Sequence, residues 1–239
     1  MRIKILFIFW WGLTGLNTLS AQTDSLNQKT RYTPDFKFRD GIYLNFEQVK
    51  TNKPIPKSRI LTSVEYNSNT FFDQITEEKS FTFFDDLGNS QEVAVSSIWG
   101  YCKNGILYIA LGGAFNRIPI VGNICHFVAT VTTYSGYNGY SPYGFGGYPY
   151  GGYGYSPYGY GYPYGGYSPN YRTSELKQFL LDFSTGKVLD YDNKNIEVLL
   201  MNDPELHDEY AGLRKKKKKQ LRFMYIRKFN EKHPLFIPK

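Results

Sequence analysis

The sequence predicts an α+β fold: an antiparallel β-sheet of about six to eight strands, arranged as hairpins and meanders, with C-terminal helices packed on it. Three observations predict it. Short apolar, β-branched runs alternate with turn residues between residues 60 and 191. Helical spacing and capping residues take over beyond residue 192. Between two of the strands, residues 134–171 read as a long disordered hairpin loop, with 14 of the 22 tyrosines, 12 of the 23 glycines and neither a charged nor an aliphatic residue.

The elements follow in order. Residues 1–21 have the three-part layout of a secretory signal peptide: Arg2 and Lys4, an apolar run over 5–16, and a short polar stretch ending in Ala21. The run is shorter than the roughly 20 residues of a bilayer span. Cleavage after Ala21 is expected, with a retained anchor as the alternative because Leu19 is bulky for its position. No cysteine near the junction is available for lipidation. Removing Arg2 and Lys4 lowers the formal charge from +7 to +5, an excess that aids solubility without implying a nucleic-acid partner.

Residues 22–37 are polar and read as a flexible segment, and 38–239 as one β-rich domain interrupted at 134–171. Asn45 and Gln48 predict a capped short helix ended by Pro54 and Pro56. Residues 60–66 form a candidate strand, and 81–84 and 92–95 flank a turn at Asp86-Leu87-Gly88-Asn89. Residues 98–102 and 106–111 flank Lys103-Asn104-Gly105, and Asn-Gly accepts the positive φ angles of a tight hairpin turn. Strand-like runs continue at 118–121 and 124–134, then resume at 176–183 and 188–191 around another turn.

The Tyr/Gly segment therefore connects two strands as an enlarged hairpin loop. It repeats YSPYG at 140–144 and 155–159, and YPYGGY at 148–153 and 162–167. It cannot form a core, because glycine has the largest ordering entropy and nothing aliphatic offsets it. Growth from about 4 to about 38 residues costs only about 2 kcal/mol of closure entropy. Tyrosines spaced by flexible glycines favour weak multivalent contact, with Tyr143, Tyr150, Tyr158 and Tyr164 as candidate interaction residues. A neutral, tolerated expansion is the alternative.

At the C-terminal end a short helix is expected over 195–201. A longer one is expected from Asp203 to His233-Pro234, acidic at its start and basic later, packing on the sheet through Leu206, Leu213, Leu221 and Met224. Arg214, Lys215, Lys216, Lys217, Lys218 and Lys219 form a basic run that is either a solvated turn or a contact for anionic lipid or lipopolysaccharide. At 3.6 residues per turn, six successive cations point in several directions.

Catalytic motifs are missing. His126, His207 and His233 match no zinc spacing, and there is no nucleophile elbow or phosphate loop. Asp190 and Asp192 open like a calcium loop, but Lys194 and Asn195 break the pattern. Turn formation accounts for Asp85 and Asp86 more simply than an acidic site with Glu92. No enzymatic activity, cofactor or metal is expected. Cys102 and Cys125 lie in apolar runs, as a disulfide or as separate small buried hydrophobes. Trp99, Tyr101 and Tyr108 lie on strands, as core or as the lining of a glycan- or peptide-binding groove.

Four segments carry a resemblance: Asp40-Gly-Ile-Tyr-Leu-Asn-Phe-Glu-Gln, Trp99-Gly-Tyr-Cys-Lys-Asn-Gly-Ile-Leu-Tyr-Ile, Asp203-Pro-Glu-Leu-His-Asp-Glu-Tyr and Ile226-Arg-Lys-Phe-Asn-Glu-Lys-His-Pro-Leu. With the Ala21-Gln22 junction, the chain resembles uncharacterised exported proteins of Bacteroidota. The resemblance implies a periplasmic, outer-envelope or extracellular location, but no activity, cofactor or functional residue. The expected role is that of an exported, non-enzymatic envelope or extracellular protein of unknown specific function, in which the Tyr/Gly loop is either a tolerated expansion or a means of self-association, adhesion or binding to an envelope partner. A ligand-binding module and an anionic-surface binder are the alternatives.

Overall fold

Alternating side chains on two central sheets let this chain build four layers. The structure, a computed structural model, describes residues 29–135 and 171–239. In chain order the elements are β1 (Lys29–Arg31), β2 (Gly41–Tyr43), α1 (Phe46–Lys50), β3 (Ile60–Leu61), α2 (Phe71–Glu77), β4 (Ser80–Phe84), β5 (Ser90–Ala94), β6 (Gly100–Lys103), β7 (Ile106–Leu111) and β8 (Ala114–Arg117). They continue with β9 (Ile124–Ser135), β10 (Tyr171–Asp182), β11 (Val188–Asp190), α3 (Asn193–Leu200), α4 (Pro204–Ala211), α5 (Lys215–Lys232) and β12 (Phe236–Pro238). The α+β class with antiparallel pairing is as expected. The strands of the described residues number twelve and divide among four sheets, ordered β3-β4-β5, β2-β6-β7-β8, β11-β10-β9 and β1-β12.

Strand residues point alternately to opposite faces, so a strand buried on both faces feeds two cores. On β6, Tyr101 joins a cluster with Phe72, Ile75 and Phe83, whereas Cys102 joins one with Phe127 and Phe179. On β10, Phe179 and Leu181 face that second cluster, and Leu180 faces Leu200, Tyr210 and Ile226 of the helices. The layers therefore run from β3-β4-β5 with α2, through the four-stranded sheet, through β9-β10-β11, to α3, α4 and α5.

Local chemistry sets the boundaries. Asn45 Oδ1 accepts from Gln48 N at 3.0 Å, and Gln48 Oε1 accepts from Leu44 N at 2.6 Å, a reciprocal cap displaced by one residue. Asn104 and Gly105 turn β6 into β7 with φ of 55° and 77°. Asp192 and Asp203 cap α3 and α4 by accepting from the amides of Asn195 and Leu206.

Several expectations are corrected. Residues 29–37 do not form a loose segment. β1 pairs with β12, Tyr32 N donates to Leu235 O at 2.7 Å, and Phe36 and Phe38 pack edge-on at 5.3 Å between centroids. The strand at 60–66 is only Ile60–Leu61, and α2 and β8 were not anticipated. The single long helix from Asp203 is two helices. Gly212, the poorest helix former short of proline, ends α4, and Arg214 is extended at ψ 147°. α5 then runs back along α4 and packs through Tyr225, Ile226 and Phe229, leaving Met224 37% exposed.

Candidate interaction surfaces

Two features of the described residues are candidates for interaction: the β9–β10 hairpin and the exposed basic start of α5. β9 and β10 pair antiparallel over twelve residues each, from Ile124↔Asp182 to Ser135↔Tyr171. β11 covers only Phe179–Leu181 of β10. The expected loop, with Tyr143, Tyr150, Tyr158 and Tyr164, lies outside the described residues, as does the expected signal peptide. The strands on either side of the loop sequence are direct partners, so its two ends are held side by side.

The start of α5 follows from the helix break. Arg214 takes the N-cap position without a side-chain cap, and the lysines occupy the first turns. These cations were expected in the later turns of one long helix; they instead open α5, where the helix dipole is positive. The acid and base groups instead meet across the α4–α5 pair. Lys228 Nζ lies 3.1 Å from Glu209 Oε1, and Lys232 Nζ lies 2.7 Å from Glu205 Oε2. Within the basic run, Lys218 turns inward and pairs with Glu197 at 2.7 Å. Among the described residues, Arg214, Lys215, Lys216, Lys217 and Lys219 are exposed and have no ion pair.

A cleft of about 490 Å³ adjoins this run, lined by Val198, Met201 and Leu213 with Lys194, Lys215 and Lys218. Lys194 and Glu197, the charged α3 residues there, carried no motif in the sequence. Gly212 was the available signal that the lysines would open a new helix.

Other polar groups have structural partners. Asp203 is 3% exposed, and its carboxylate accepts from His233 Nε2 at 2.6 Å and from Lys232 Nζ. The His233 bond, with Lys232 and the Leu206 amide, holds its pKa down at about 2. This link between α4 and the end of α5 carried no sequence motif either. Asp85 accepts from the turn amides of Leu87 and Asn89, Asp86 pairs with Arg59, and Glu92 accepts from Ser80 Oγ. His126 Nε2 lies 2.9 Å from Gln178 Oε1, and its ring packs edge-on against Tyr191.

The disulfide alternative is corrected. Cys102 and Cys125 are both free and buried in the core between the two central sheets. The Cys102 thiol is directed at Phe38 O, 3.6 Å away, and the Cys125 thiol at Gly122 O, 3.3 Å away. Burial pushes the Cys125 pKa up to about 12 and raises that of Cys102 further above the ordinary thiol range. Of the three aromatic strand residues, Trp99 and Tyr101 are buried in the cores, and Tyr101 stacks on the partly buried Tyr108 at 4.8 Å. Tyr101 OH also donates to Asp73 Oδ1, which fixes it to α2.

Among the described residues, no helix is long and apolar enough to cross a membrane, and no group of three or more His, Cys, Asp or Glu could hold a metal ion. The model of a family of unknown function, DUF6563, matches residues 41–233. No curated protein and no solved structure matches the chain.

Proposed function

The chain belongs to the DUF6563 family, and from that premise we propose that it is an exported, non-enzymatic envelope or extracellular protein whose layered domain presents the Tyr/Gly sequence for interaction. The segment would contact a second copy of the chain or an envelope partner through tyrosine stacking and hydrogen bonding. The observation that carries this reading is the β9–β10 register. Pairing continues to Ser135↔Tyr171, so 35 consecutive residues with no cation, carboxylate or aliphatic side chain are attached at one point of a two-stranded arm. The four layers of the described residues are formed without it. Export rests on the layout of residues 1–21, and a periplasmic or outer-envelope location in Bacteroidota rests on the resemblance of the four segments quoted above.

The test replaces residues 136–170 by a four-residue turn and, separately, changes Tyr143, Tyr150, Tyr158 and Tyr164 to Ser. Self-association by light scattering, surface attachment and envelope fractionation are compared with the parent. Loss of assembly or attachment in both variants is expected. Unchanged behaviour in all three measurements would show that the segment is a tolerated expansion.

A further inference from the structure

We propose that the outer face of α5 docks the protein onto a bilayer containing anionic phospholipid, with the lysines of its first turns meeting headgroup phosphates and Phe223 entering the interfacial layer. This inference does not use the Tyr/Gly sequence and is independent of the display reading.

Successive residues on an α-helix are separated by 100°, so Lys216, Lys219, Gln220, Phe223 and Arg227 fall on one side of α5. All five are exposed, while Tyr225, Ile226 and Phe229 on the other side are buried against the helices and sheet. The exposed face is cationic with an apolar centre: Phe223 is 45% exposed and the adjoining Met224 37%. Arg227 is held by Glu231 at 2.8 Å, but Lys215, Lys216, Lys217 and Lys219 have no carboxylate partner among the described residues.

This charge is placed against local electrostatics. Lys215 and Lys219 repel each other at i, i+4, and the helix dipole adds to the positive potential of the same turn. Carboxylates are used nearby without relieving it: Glu197 takes Lys218, Glu209 takes Lys228 and Glu205 takes Lys232. An external anionic surface would relieve the repulsion of several cations at once.

The apolar centre selects the occupant. A polyanion such as nucleic acid, or an acidic peptide, would satisfy the lysines and leave Phe223 and Met224 in water. A bilayer interface offers phosphates at one depth and acyl carbon a few ångströms below, matching a basic face with an aromatic centre. The helix is about 27 Å long at 1.5 Å per residue, long enough to lie across several headgroups.

The test is co-sedimentation of the full chain with equimolar phosphatidylglycerol–phosphatidylcholine vesicles and with phosphatidylcholine vesicles. Binding to the mixed vesicles alone, weakening as salt rises, is expected. Each of Lys216→Gln, Lys217→Gln and Lys219→Gln should lower partitioning about fivefold. Phe223→Ser, which leaves the charge unchanged, should lower it about tenfold. Circular dichroism confirms that each variant is folded, and because the lysines are unpaired and repel one another, their loss should leave the melting temperature unchanged or slightly raised. Equal binding to both vesicle types, absence of binding, or insensitivity to the lysine changes would overturn the proposal. So would an unaffected Phe223→Ser variant, or tighter binding to a single-stranded oligonucleotide than to the mixed vesicles.

Discussion

The His233 ring and the Asp203 carboxylate, thirty residues apart in sequence, meet at 2.6 Å where the start of α4 lies against the end of α5. The contact fixes the helix pair at one end, and Asp203 serves it only while ionised. Its folded pKa, about 2, lies below its ordinary value of 3.8. Its contribution to stability is therefore fully present above pH 4 and is lost as pH falls from about 4 towards about 2. Thermal melts across this range should show a falling melting temperature in the parent. The fall should be shallower in Asp203→Asn, which starts lower at neutral pH.

Cys102 and Cys125 should be inert in the folded protein. Thiolates are the reactive form, and burial opposes both ionisation and access. Iodoacetamide should modify neither in buffer and both in denaturant, as read by mass spectrometry. Oxidised and reduced samples should migrate alike on a denaturing gel.

Gly100 and Gly88 should respond differently to alanine. A Cβ at Gly100 would lie 2.0 Å from Tyr108 O across the β6–β7 pair, so Gly100→Ala must push two strands apart. A loss of about 3 kcal/mol in urea unfolding is expected. Gly88 meets nothing within 4 Å, and only its φ of 83° opposes a side chain. Gly88→Ala should lose about 1 kcal/mol.

Replacing residues 136–170 by a four-residue turn should raise unfolding free energy by about 2 kcal/mol, the closure entropy of the longer connection. Urea midpoints with unchanged slopes would measure it. A loss of stability instead would mean that the Tyr/Gly sequence packs on the domain.

Much of this architecture was legible because its signals are local. Asn104-Gly105 specified a hairpin through the conformations those residues tolerate, and Asp203 specified a helix start through its side-chain cap, whereas Asp192, which caps α3 two residues before the expected start, read only as part of a broken calcium pattern. α2 is less legible: Phe71, Phe72 and Ile75 have helical spacing, but Thr70 makes no side-chain cap to mark where the helix starts. β8 likewise follows Gly112 and Gly113, whose φ angles of 67° and 79° make the turn into it. The β1–β12 pair left almost no signal, because each strand has three residues and its partner lies at the opposite end of the sequence. For the basic run, composition revealed the charge, but its position on α5 depended on where the preceding helix stopped. One glycine decided that.

The β1–β12 pair also sets how the domain would respond to force. Lys29 lies opposite Pro238 in an antiparallel pair, so tension applied through the two flanking ends loads the rungs of this ladder one after another. Strands pulled in this peeling geometry separate at low load, in contrast to strands sheared along their length. If the protein is tethered at one end and pulled at the other, the β1–β12 clasp should open first, while the two central sheets remain folded.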